Sequence, residues 1–420
     1  MSPQQPAPTT AEAALRSPRQ PDPARQPAGR SLDDLIPFSR PYRAPGELVN
    51  LERVLSSDHA HGDGAFTASA TGRLREITGT TGVLLTSSGS HALDLVSILL
   101  GLRPGDEVIL PTYTFPSAAN AVALTGATCV FVDSDPMTGN IHPAAVEAAI
   151  TSRTKAISVM HYGGVPVDLA AILAIGAEHG IPVVEDNAHG LGVQHGEKRL
   201  GTFGVMGIQS FHDTKNVHSG EGGALIINDL SLLERAEIVR EKGTDRSKFL
   251  RGQVDKYSWV DVGSSYLMSE LQAAVLDAQL QYFDLIQRKR HAVWDRYAVE
   301  LADWADAVGA QLMTVPDGVN HAAHLFFVLM PDQESQLGLI THLRTFGIVA
   351  TFHYVPLHSS AAGLRHGRVS GSVDNAVHFS RRLVRLPLWA GLDDQQIHRV
   401  IDAVRSYRPD PAPRSVSLSA

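Results

Sequence analysis

From about residue 80, short runs of consecutive apolar residues alternate with stretches whose apolar residues recur at helical spacing. The runs are rich in β-branched residues and lack polar alternation, which is typical of strands that are covered on both faces. Because helical stretches separate most of them, the pattern predicts an α/β fold with a mainly parallel central sheet. The predicted strands are GVLLTS, DEVILP, ATCVFVD, KAISVMHY, IPVVED, GIQSFH and GALIIN.

The pattern changes after about residue 235, where helical stretches such as SELQAAVLDAQLQYFDLIQRKRHAVWDRYAVEL dominate. Two later apolar runs, HLFFVLM and VATFHYVPL, predict strands of a smaller α+β unit. We therefore predict a large domain over residues 34–285 and a smaller C-terminal domain over residues 286–407. Residues 1–33 and 408–420 have few large apolar side chains to offset the entropy of ordering, and they predict a disordered leader and tail.

Composition and charge narrow the possible partners. The chain has 420 residues and a formal net charge of −8, whereas binding to nucleic acid needs clustered Lys and Arg. The single cysteine, Cys129, excludes a disulfide framework and a cysteine-rich metal site, and its apolar neighbours predict a buried strand position. No apolar run approaches the length of a membrane span and the N-terminus lacks an apolar signal core, so we expect a cytoplasmic protein without a membrane partner.

In a parallel sheet of this kind, ligands bind outside the carboxyl ends of the strands. The first predicted strand ends in TSSGSHAL, where serines and a glycine precede an apolar helix. The free N–H groups and the dipole of such a helix start form an anion site, with Ser90 and the backbone of His91 as donors. Helix capping by serine is the alternative interpretation. The sequence contains neither GxGxxG nor a GK[ST] after this turn, which disfavours a dinucleotide or a nucleoside triphosphate.

Two other strand ends carry titratable side chains. IPVVEDNAHG places Glu185 and Asp186 at a strand end, and strand alternation directs only one of them to the ligand side. A carboxylate there would keep a heteroaromatic nitrogen protonated, with a structural or helix-capping aspartate as the alternative. Lys215 lies between the strand GIQSFH and a glycine-rich bend. Partial burial and a nearby cation would lower the pKa of Lys215 and release a nucleophilic amine, whereas a surface lysine is the alternative.

Taken together, these features describe a site for pyridoxal 5′-phosphate (PLP). The helix start receives the phosphate, Asp186 pairs with the pyridinium nitrogen and Lys215 forms the Schiff base. Phe115, in YTFPS at the end of the second strand, is placed to cover a face of the ring.

The segments EDNAHG, SFHDTKN, GEGGALIIND and GDEVILPTYTFPSAANAV resemble the DegT/DnrJ/EryC1/StrS family of sugar aminotransferases. The resemblance extends over nearly the whole chain and implies the PLP-dependent transferase fold type I, which is that of aspartate aminotransferase. It also implies the Schiff-base role of Lys215 and the ring-nitrogen role of Asp186. His189 would lie near the phenolic oxygen of the cofactor, and Ser90 and Ser210 would bind its phosphate.

The resemblance further implies a homodimer with shared active sites. Many relatives carry Asn in a GxNYRM segment that reaches the phosphate of the neighbouring subunit. Here the segment is GSSYLM, with Ser265 at that position, so the contact depends on whether a shorter side chain spans the gap. The family's 3-dehydratases have histidine in place of the Schiff-base lysine, and the presence of Lys215 therefore favours transamination.

Within the family, GDGAFT, the segment around GTDRSKFLRGQVDKY and FHYVPLH are most similar to the subgroup that aminates a dTDP-4-keto-6-deoxyhexose at C4. The implied amino donor is L-glutamate. Arg246, Arg251 and Lys256 are candidate cations for the substrate diphosphate, with solvated loop charges as the alternative. His353 and His358 of FHYVPLH are expected to approach the sugar.

Other candidates and functions stay open. Tyr113 and His161 are further polar residues at strand ends, and they are weaker candidates for contacts with the sugar. His212, His218 and the two histidines of FHYVPLH lack the i, i+4 pairing with an acid that is seen in zinc helices, so no metal site is predicted. The alternatives in function are the same chemistry on a 3-keto sugar or a 4-keto pentose nucleotide, and a PLP-bound regulatory scaffold without turnover.

Overall fold

The computed structural model describes residues 34–409. Residues 1–33 and 410–420, which hold the predicted leader and most of the predicted tail, lie outside the described residues. The strands are β1 (Val83–Thr86), β2 (Glu107–Pro111), β3 (Thr128–Val132), β4 (Thr154–Met160), β5 (Val183–Asp186), β6 (Gln194–His195), β7 (Lys198–Arg199), β8 (Met206–Ser210), β9 (Gly223–Ile227), β10 (Gln311–Leu312), β11 (Phe326–Leu329), β12 (Gly367–Val369) and β13 (Leu383–Leu386).

The α-helices separate most of these strands. They are α1 (Glu47–Leu55), α2 (Ala65–Thr78), α3 (Gly89–Leu99), α4 (Pro116–Ala123), α5 (Pro143–Ala149), α6 (Leu169–His179), α7 (Leu233–Arg240), α8 (Arg246–Leu250), α9 (Glu270–Gln281), α10 (Phe283–Glu300), α11 (Ala302–Val308), α12 (Gln333–Thr345), α13 (Ala361–His366), α14 (Asp374–Arg382) and α15 (Asp394–Ser406). Among residues 34–409, no helix combines the length and the apolar character that a membrane crossing requires.

The central sheet has eight strands in the order β1-β9-β8-β5-β4-β2-β3-β12. The neighbours from β8 to β12 are all parallel, and β9 runs antiparallel to both β1 and β8. The predicted α/β fold with a mainly parallel sheet is therefore confirmed. The antiparallel β9 follows β8 through a connection, residues 211–222, that contains no crossover helix, and this is why the chain reverses there.

Both faces of the sheet are covered, which explains the absence of polar alternation in its strands. In β2, Val108 and Leu110 pack on one side with α3 and α4, while Ile109 packs on the other side with α5 and α6. Cys129 of β3 is buried on the first side, as its apolar surroundings predict. Each strand thus contributes alternate residues to two separate apolar layers.

The C-terminal part of the chain builds a second, smaller sheet with the antiparallel order β10-β11-β13. Residues of α10, α12 and α15 cover it and form a core of their own with Val384 and Leu386 of β13. The predicted domain boundary between residues 285 and 286 falls inside α10, and β12 joins the edge of the central sheet. The domain limits stay a prediction.

The run VATFHYVPL does not form the predicted strand. Thr351 makes a single bridge to Arg385 of β13, and the residues after it run without regular pairing. The aromatic side chains His353 and Tyr354 instead line a cavity beside the central sheet. Packing of these rings against the large domain, rather than local strand propensity, decides the conformation of the segment.

Candidate active site

A cavity of about 510 Å³ lies at the carboxyl ends of β4, β5 and β8. These three strands are parallel, so their ends meet at one edge of the sheet. Met160, Asp186 and Ser210, which end the three strands, all line the cavity, as does the start of α3. The structure thus brings together residues that are far apart in the chain.

Lys215 reaches this cavity from the connection between β8 and β9. The connection folds back on itself, because Phe211 N–H donates to the carbonyl of Gly222 at 2.8 Å and Lys215 N–H donates to the carbonyl of His212 at 2.9 Å. The next residue, Asn216, is buried and its Nδ2 donates to the carbonyl of Ala322 at 2.7 Å. These bonds fix the backbone on both sides of the lysine.

The Lys215 amine has no acidic partner within ion-pair distance among residues 34–409, and it is half-buried. Its burial in the cavity lowers its pKa from 10.5 to about 8, with Arg385 acting in the same direction and Asp186 opposing. About a tenth of the amine is therefore neutral and nucleophilic at pH 7, far more than at the ordinary pKa of a lysine.

Asp186 and Glu185 take opposite sides of the sheet, as strand alternation predicts. Asp186 lines the cavity, is 4% exposed, and accepts a hydrogen bond of 3.1 Å from Ala188 N–H. Burial raises its pKa, while that N–H group and the Lys215 amine oppose the shift. Within the described residues no side chain donates to Asp186, so its carboxylate is available to a ligand cation.

Glu185 is fully buried in the opposite layer and has a structural role. It accepts hydrogen bonds from His161 Nε2 at 2.9 Å and from the backbone N–H groups of Gly201, Phe203 and Gly204 at 2.6–2.8 Å. His161 is therefore held away from the cavity, and of the two neighbouring carboxylates only that of Asp186 faces it.

The start of α3 offers an anion site beside β8. Ser88 caps the helix by accepting a hydrogen bond of 3.1 Å from His91 N–H, so the cap already uses that donor. The N–H groups of Gly89 and Ser90 occupy the first two helical positions, which have no intrahelical acceptor. The capping interpretation is therefore correct for Ser88, and His91 N–H is not available to an anion as predicted. The next two N–H groups remain free, and the anion site stays a prediction.

Serine hydroxyls complete this anion site. Ser90 and Ser210 both line the cavity, and Ser90 Oγ lies 2.7 Å from Ser117 Oγ. Gly89 permits the close approach of helix and strand, because a Cβ at this position would lie 2.9 Å from Ser210 Cβ. The His91 ring bonds to Ser87 Oγ at 2.6 Å and does not line the cavity.

A wall of stacked imidazoles closes another side of the cavity. The ring of His189 stacks on that of His324, with centroids 4.1 Å apart. His189 Nδ1 accepts from Gly163 N–H at 3.2 Å, so the neutral ring carries its proton on Nε2. Burial and the nearby cations Lys215 and Arg385 hold the pKa of His189 well below 6.5, and the ring is a neutral hydrogen-bond donor.

Two residues that border the cavity, His324 and Arg385, were not predicted from the sequence. His324 Nδ1 lies 2.9 Å from Asn216 Oδ1, which ties the imidazole wall to the residue after Lys215, and Arg385 lines the cavity from β13. Arg385 had a usable signal, since it interrupts the apolar run LVRLPLW. For His324, no local pattern distinguishes it from residues that fill the core.

Several predicted substrate residues lie away from the cavity. Arg246 pairs with Glu241 at 3.6 Å, Arg251 pairs with Glu237 at 2.7 Å, and Lys256 is exposed on the same segment. Their role towards a diphosphate stays a prediction.

Ser265 is exposed and does not line this cavity either. The contact of Ser265 with the cofactor phosphate in a neighbouring subunit stays a prediction.

Of the two histidines that were predicted to contact the sugar, only His353 borders the cavity. His353 lines the cavity, and the hydroxyl of the buried Tyr113 donates to its carbonyl oxygen. His358 Nδ1 lies 2.7 Å from Thr112 Oγ1, and its ring does not line the cavity. His353 is therefore the better placed of the two histidines.

The cavity residues fit PLP. Lys215 offers an unpaired amine and Asp186 a buried carboxylate without a side-chain donor, while the start of α3 offers free N–H groups for the phosphate. The Phe115 ring lines the cavity and is 52% exposed, so one face is available to a flat ligand. His189 adds a neutral N–H donor.

Comparisons with known proteins agree with this geometry. Residues 43–405 match the model of the DegT/DnrJ/EryC1/StrS aminotransferase family. The aminotransferase TlmJ from Streptoalloteichus hindustanus is 31% identical, with a TM-score of 0.81 over 88% of this chain and 98% of that chain. DesV from S. venezuelae, solved with a ketimine intermediate, is 32% identical, with a TM-score of 0.77 over 86% of this chain and 93% of that chain.

A third structure is similar in fold. The putative sugar aminotransferase Spr1654 from Streptococcus pneumoniae, solved in its PMP form, is 24% identical, with a TM-score of 0.81 over 88% of this chain and 98% of that chain. The family match spans most of the chain, and the residues that line the cavity fit PLP. The chain is therefore a PLP-dependent sugar aminotransferase of the DegT/DnrJ/EryC1/StrS family.

Proposed function

We propose that the protein transfers an amino group from L-glutamate to C4 of a dTDP-linked 4-keto-6-deoxy sugar. Lys215 and Asp186 border one cavity. This observation supports transamination over the alternative of a PLP-bound regulatory scaffold without turnover. The choice of C4 rests on the similarity of GDGAFT and FHYVPLH to the subgroup that aminates this carbon.

Two side chains carry the proton chemistry. PLP, when bound, supplies an electron sink for the carbanion that forms beside its nitrogen-linked carbon. The neutral Nζ of Lys215, whose pKa is lowered to about 8, removes a proton from carbon in one half-reaction. In the other half-reaction the protonated Nζ returns a proton to carbon. The Asp186 carboxylate holds a proton on the ring nitrogen of the cofactor, and its burial strengthens this charge-assisted bond.

The remaining cavity residues position the cofactor. The free N–H groups at the start of α3, with Ser90 and Ser210, bind the phosphate. His189 donates from Nε2 to the phenolic oxygen, and Phe115 covers a ring face. Each of these contacts orients the ring relative to Lys215, so that the amine reaches the reacting carbon.

The test is an incubation of the PLP-loaded enzyme with L-glutamate and a panel of dTDP-ketosugars, with the products identified by NMR. We expect an amine at C4 of the 4-keto-6-deoxyhexose and slower or no conversion of 3-keto hexose and 4-keto pentose nucleotides. NMR also settles whether the amine is axial or equatorial. Conversion of the cofactor by L-glutamate without amination of any 4-keto-6-deoxyhexose would contradict the proposal.

Lys215→Ala should abolish both turnover and the covalent fixation of the cofactor by borohydride, because no other amine lines the cavity among residues 34–409. Lys155→Ala is the matched control, since Lys155 is exposed. Fixation at full yield in the first variant would place the anchor on another lysine.

We also propose a homodimer in which each subunit contributes to the site of the other. Large apolar side chains stay exposed on the segment after α8, with Trp259 77% exposed and Val262 57% exposed, and a second copy of the chain would cover them. The cytoplasmic location stays a prediction.

A further inference from the structure

Two histidines and an aspartate come together beside helix α10, away from the active-site cavity. His291 and Asp295 lie one helical turn apart on α10, and His321 lies in the loop between β10 and β11. One ring nitrogen of each histidine and one carboxylate oxygen of Asp295 lie within 4.8 Å of one another. The i, i+4 pairing of a histidine with an acid, which the histidines near the active site lack, is thus present on α10.

The atoms that could bind a ligand in this cluster are free. Among residues 34–409, the ring nitrogens of His291 and the carboxylate of Asp295 form no hydrogen bond or ion pair. His321 Nδ1 accepts a hydrogen bond of 3.1 Å from Ala323 N–H, which leaves its Nε2 available. Asp295 is exposed and both histidines are half-buried, so solvent ions can reach the cluster.

Aromatic packing, rather than hydrogen bonding, places the two imidazoles. The rings of His291 and His321 meet edge to face, with centroids 4.6 Å apart. The ring of Trp294 packs against His321 with a centroid distance of 4.4 Å, and Trp294 itself packs against the core of the smaller sheet. The two rings are therefore held close together before any ligand binds.

The spacing of the three groups suits an ion between them. Asp295 lies near both histidines but bonds to neither within the described part of the chain, so no shared proton closes the gap. Two bonds of about 2.0–2.2 Å to one Zn²⁺ ion span about 4 Å, which is close to the observed spacing. Because Asp295 is exposed, its side chain can rotate inward to complete the fit.

A cavity beside the cluster provides room and a balanced charge. His291 and His321 both line this cavity, which has a volume of about 520 Å³. Its charged lining residues are two acids and two bases, namely Glu76, Asp284, Arg199 and Arg288. The cavity therefore has no excess of positive charge that would repel a cation.

From this arrangement we infer that His291, Asp295 and His321 bind a divalent transition-metal cation, with Zn²⁺ as the best match. Two imidazole nitrogens and a carboxylate oxygen are ligands that Zn²⁺ accepts, whereas Mg²⁺ and Ca²⁺ prefer oxygen ligands alone. Three protein ligands leave the fourth position of a tetrahedral ion to water, for which the cavity has room. The bound ion would connect α10 to the loop before β11, independently of the proposed transamination.

Binding at His321 would change the turn that follows this residue. A ring that binds through Nε2 carries its proton on Nδ1, so it gives up the bond from Ala323 N–H. The loss of this bond opposes binding, and we expect a weaker site than a closed one with four protein ligands. Ala323 has the left-handed φ of +44°, and the preceding carbonyl of Ala322 accepts from Asn216, the residue after Lys215. The ion would therefore act on a segment that contacts the active site.

The test is a titration of Zn²⁺ into the PLP-loaded enzyme by calorimetry, after a chelator has removed bound metal. We expect one Zn²⁺ ion per chain. His291→Ala and Asp295→Ala should each weaken binding by about 100-fold or more, since losing a ligand costs more than the roughly 10- to 100-fold cost of losing a group that only orients one. Mg²⁺ should not bind at the same concentrations.

Matched controls are available on other helices. His378 of α14 and Asp303 of α11 are exposed, so His378→Ala and Asp303→Ala should leave Zn²⁺ binding unchanged. Thermal melting verifies that each variant is folded. Asp295→Ala carries the test if His291→Ala is not folded, because Asp295 is exposed and Ala is the better helix former.

Co²⁺ in place of Zn²⁺ supplies a spectroscopic readout of the site. Its visible absorption distinguishes four-coordinate from six-coordinate ions, and we expect the four-coordinate spectrum. The paramagnetic ion should also quench the fluorescence of Trp294, because this ring packs directly on His321. Trp294→Phe should remove most of the quenching and keep the binding.

Three outcomes would overturn the inference. The first is a wild-type enzyme that does not bind Zn²⁺, and the second is equal binding in wild type, His291→Ala and Asp295→Ala, which would indicate an adventitious ion only. The third is a loss of binding in His61→Ala alone, which would place the ion at the pair His59 and His61, whose ring centroids lie 3.9 Å apart. None of these measurements uses turnover, so each result stands whether or not the proposed function holds.

Discussion

At the scale of single residues, the reactivity of Lys215 depends on two opposing charges. The carboxylate of Asp186 favours the protonated amine, while burial and the Arg385 cation favour the neutral one. Burial is the largest of these effects, and the pKa consequently falls from 10.5 to about 8. The neighbouring His189 and His324 are kept neutral by burial and by the same cations, so they add no charge to this balance.

We predict that covalent capture of PLP by the unloaded protein accelerates with pH around a midpoint of about 8, because the neutral amine of Lys215 is the nucleophile. Asp186→Asn removes the charge that favours protonation, so the midpoint should move down. Arg385→Gln removes a repelling cation, so the midpoint should move up. Stopped-flow absorbance of the cofactor as a function of pH measures both shifts. Midpoints that move in the same direction would contradict this account.

The adjacent carboxylates give a second prediction at this scale. Glu185→Ala should lower the free energy of unfolding by about 3–5 kcal/mol, because it leaves the buried His161 and three backbone N–H groups without their acceptor. Asp186→Asn should change stability far less, since an amide oxygen still accepts from Ala188 N–H. Its effect should fall on the proton-transfer half-reactions. Urea unfolding and single-turnover kinetics separate the two, and equal destabilisation would refute the division of roles.

At the scale of elements, the anion site depends on how closely α3 approaches the end of β8. The first helical residue is Gly89, and a side chain there would collide with Ser210. The N–H groups at the helix start and the serine that ends the strand are therefore close enough to bind the same phosphate. Neither element offers this site alone, because the N–H groups come from the helix and the second hydroxyl comes from the strand.

We predict that Gly89→Ala weakens PLP binding about tenfold or more, equivalent to about 1.4 kcal/mol, because the added methyl group separates the two elements. The matched control is Gly72→Ala in α2, where no atom lies within 4 Å of the added Cβ. That control should raise the free energy of unfolding by about 0.5–1 kcal/mol, since Ala is a better helix former than Gly. Fluorescence titration and chemical unfolding measure the effects, and unchanged cofactor affinity in the first variant would argue against the anion site.

At the scale of the whole molecule, several large apolar side chains are exposed, and the proposed homodimer would cover them. Leu48 of α1 is 81% exposed, and Trp259, Val260 and Val262 are each more than half exposed on one short segment. Apolar groups of this size are rarely left in water when they lie close together. The segment also follows the three candidate cations for the substrate diphosphate, so dimerisation and substrate binding would involve neighbouring residues.

We predict that sedimentation shows a dimer and that Trp259→Asp shifts it towards monomer with loss of cofactor affinity. The physical reason is that the proposed dimer would bury the side chain at this position, and burying an unpaired carboxylate is costly. Val299→Asp is the control, because Val299 is equally exposed but lies on α10. A monomer of Trp259→Asp with full activity would contradict shared active sites.

The sequence by itself determined the two-sided sheet, because uninterrupted apolar runs between amphipathic helices leave no other efficient burial. It also determined that the polar residues which end those runs would meet at one edge, which placed Asp186 and Lys215 together. Only the tertiary structure decided which further side chains share the cavity. Arg385 and His324 come from distant parts of the chain. The charge of Arg385 within an apolar run marks it as unusual, but only long-range packing decides that both side chains border this cavity.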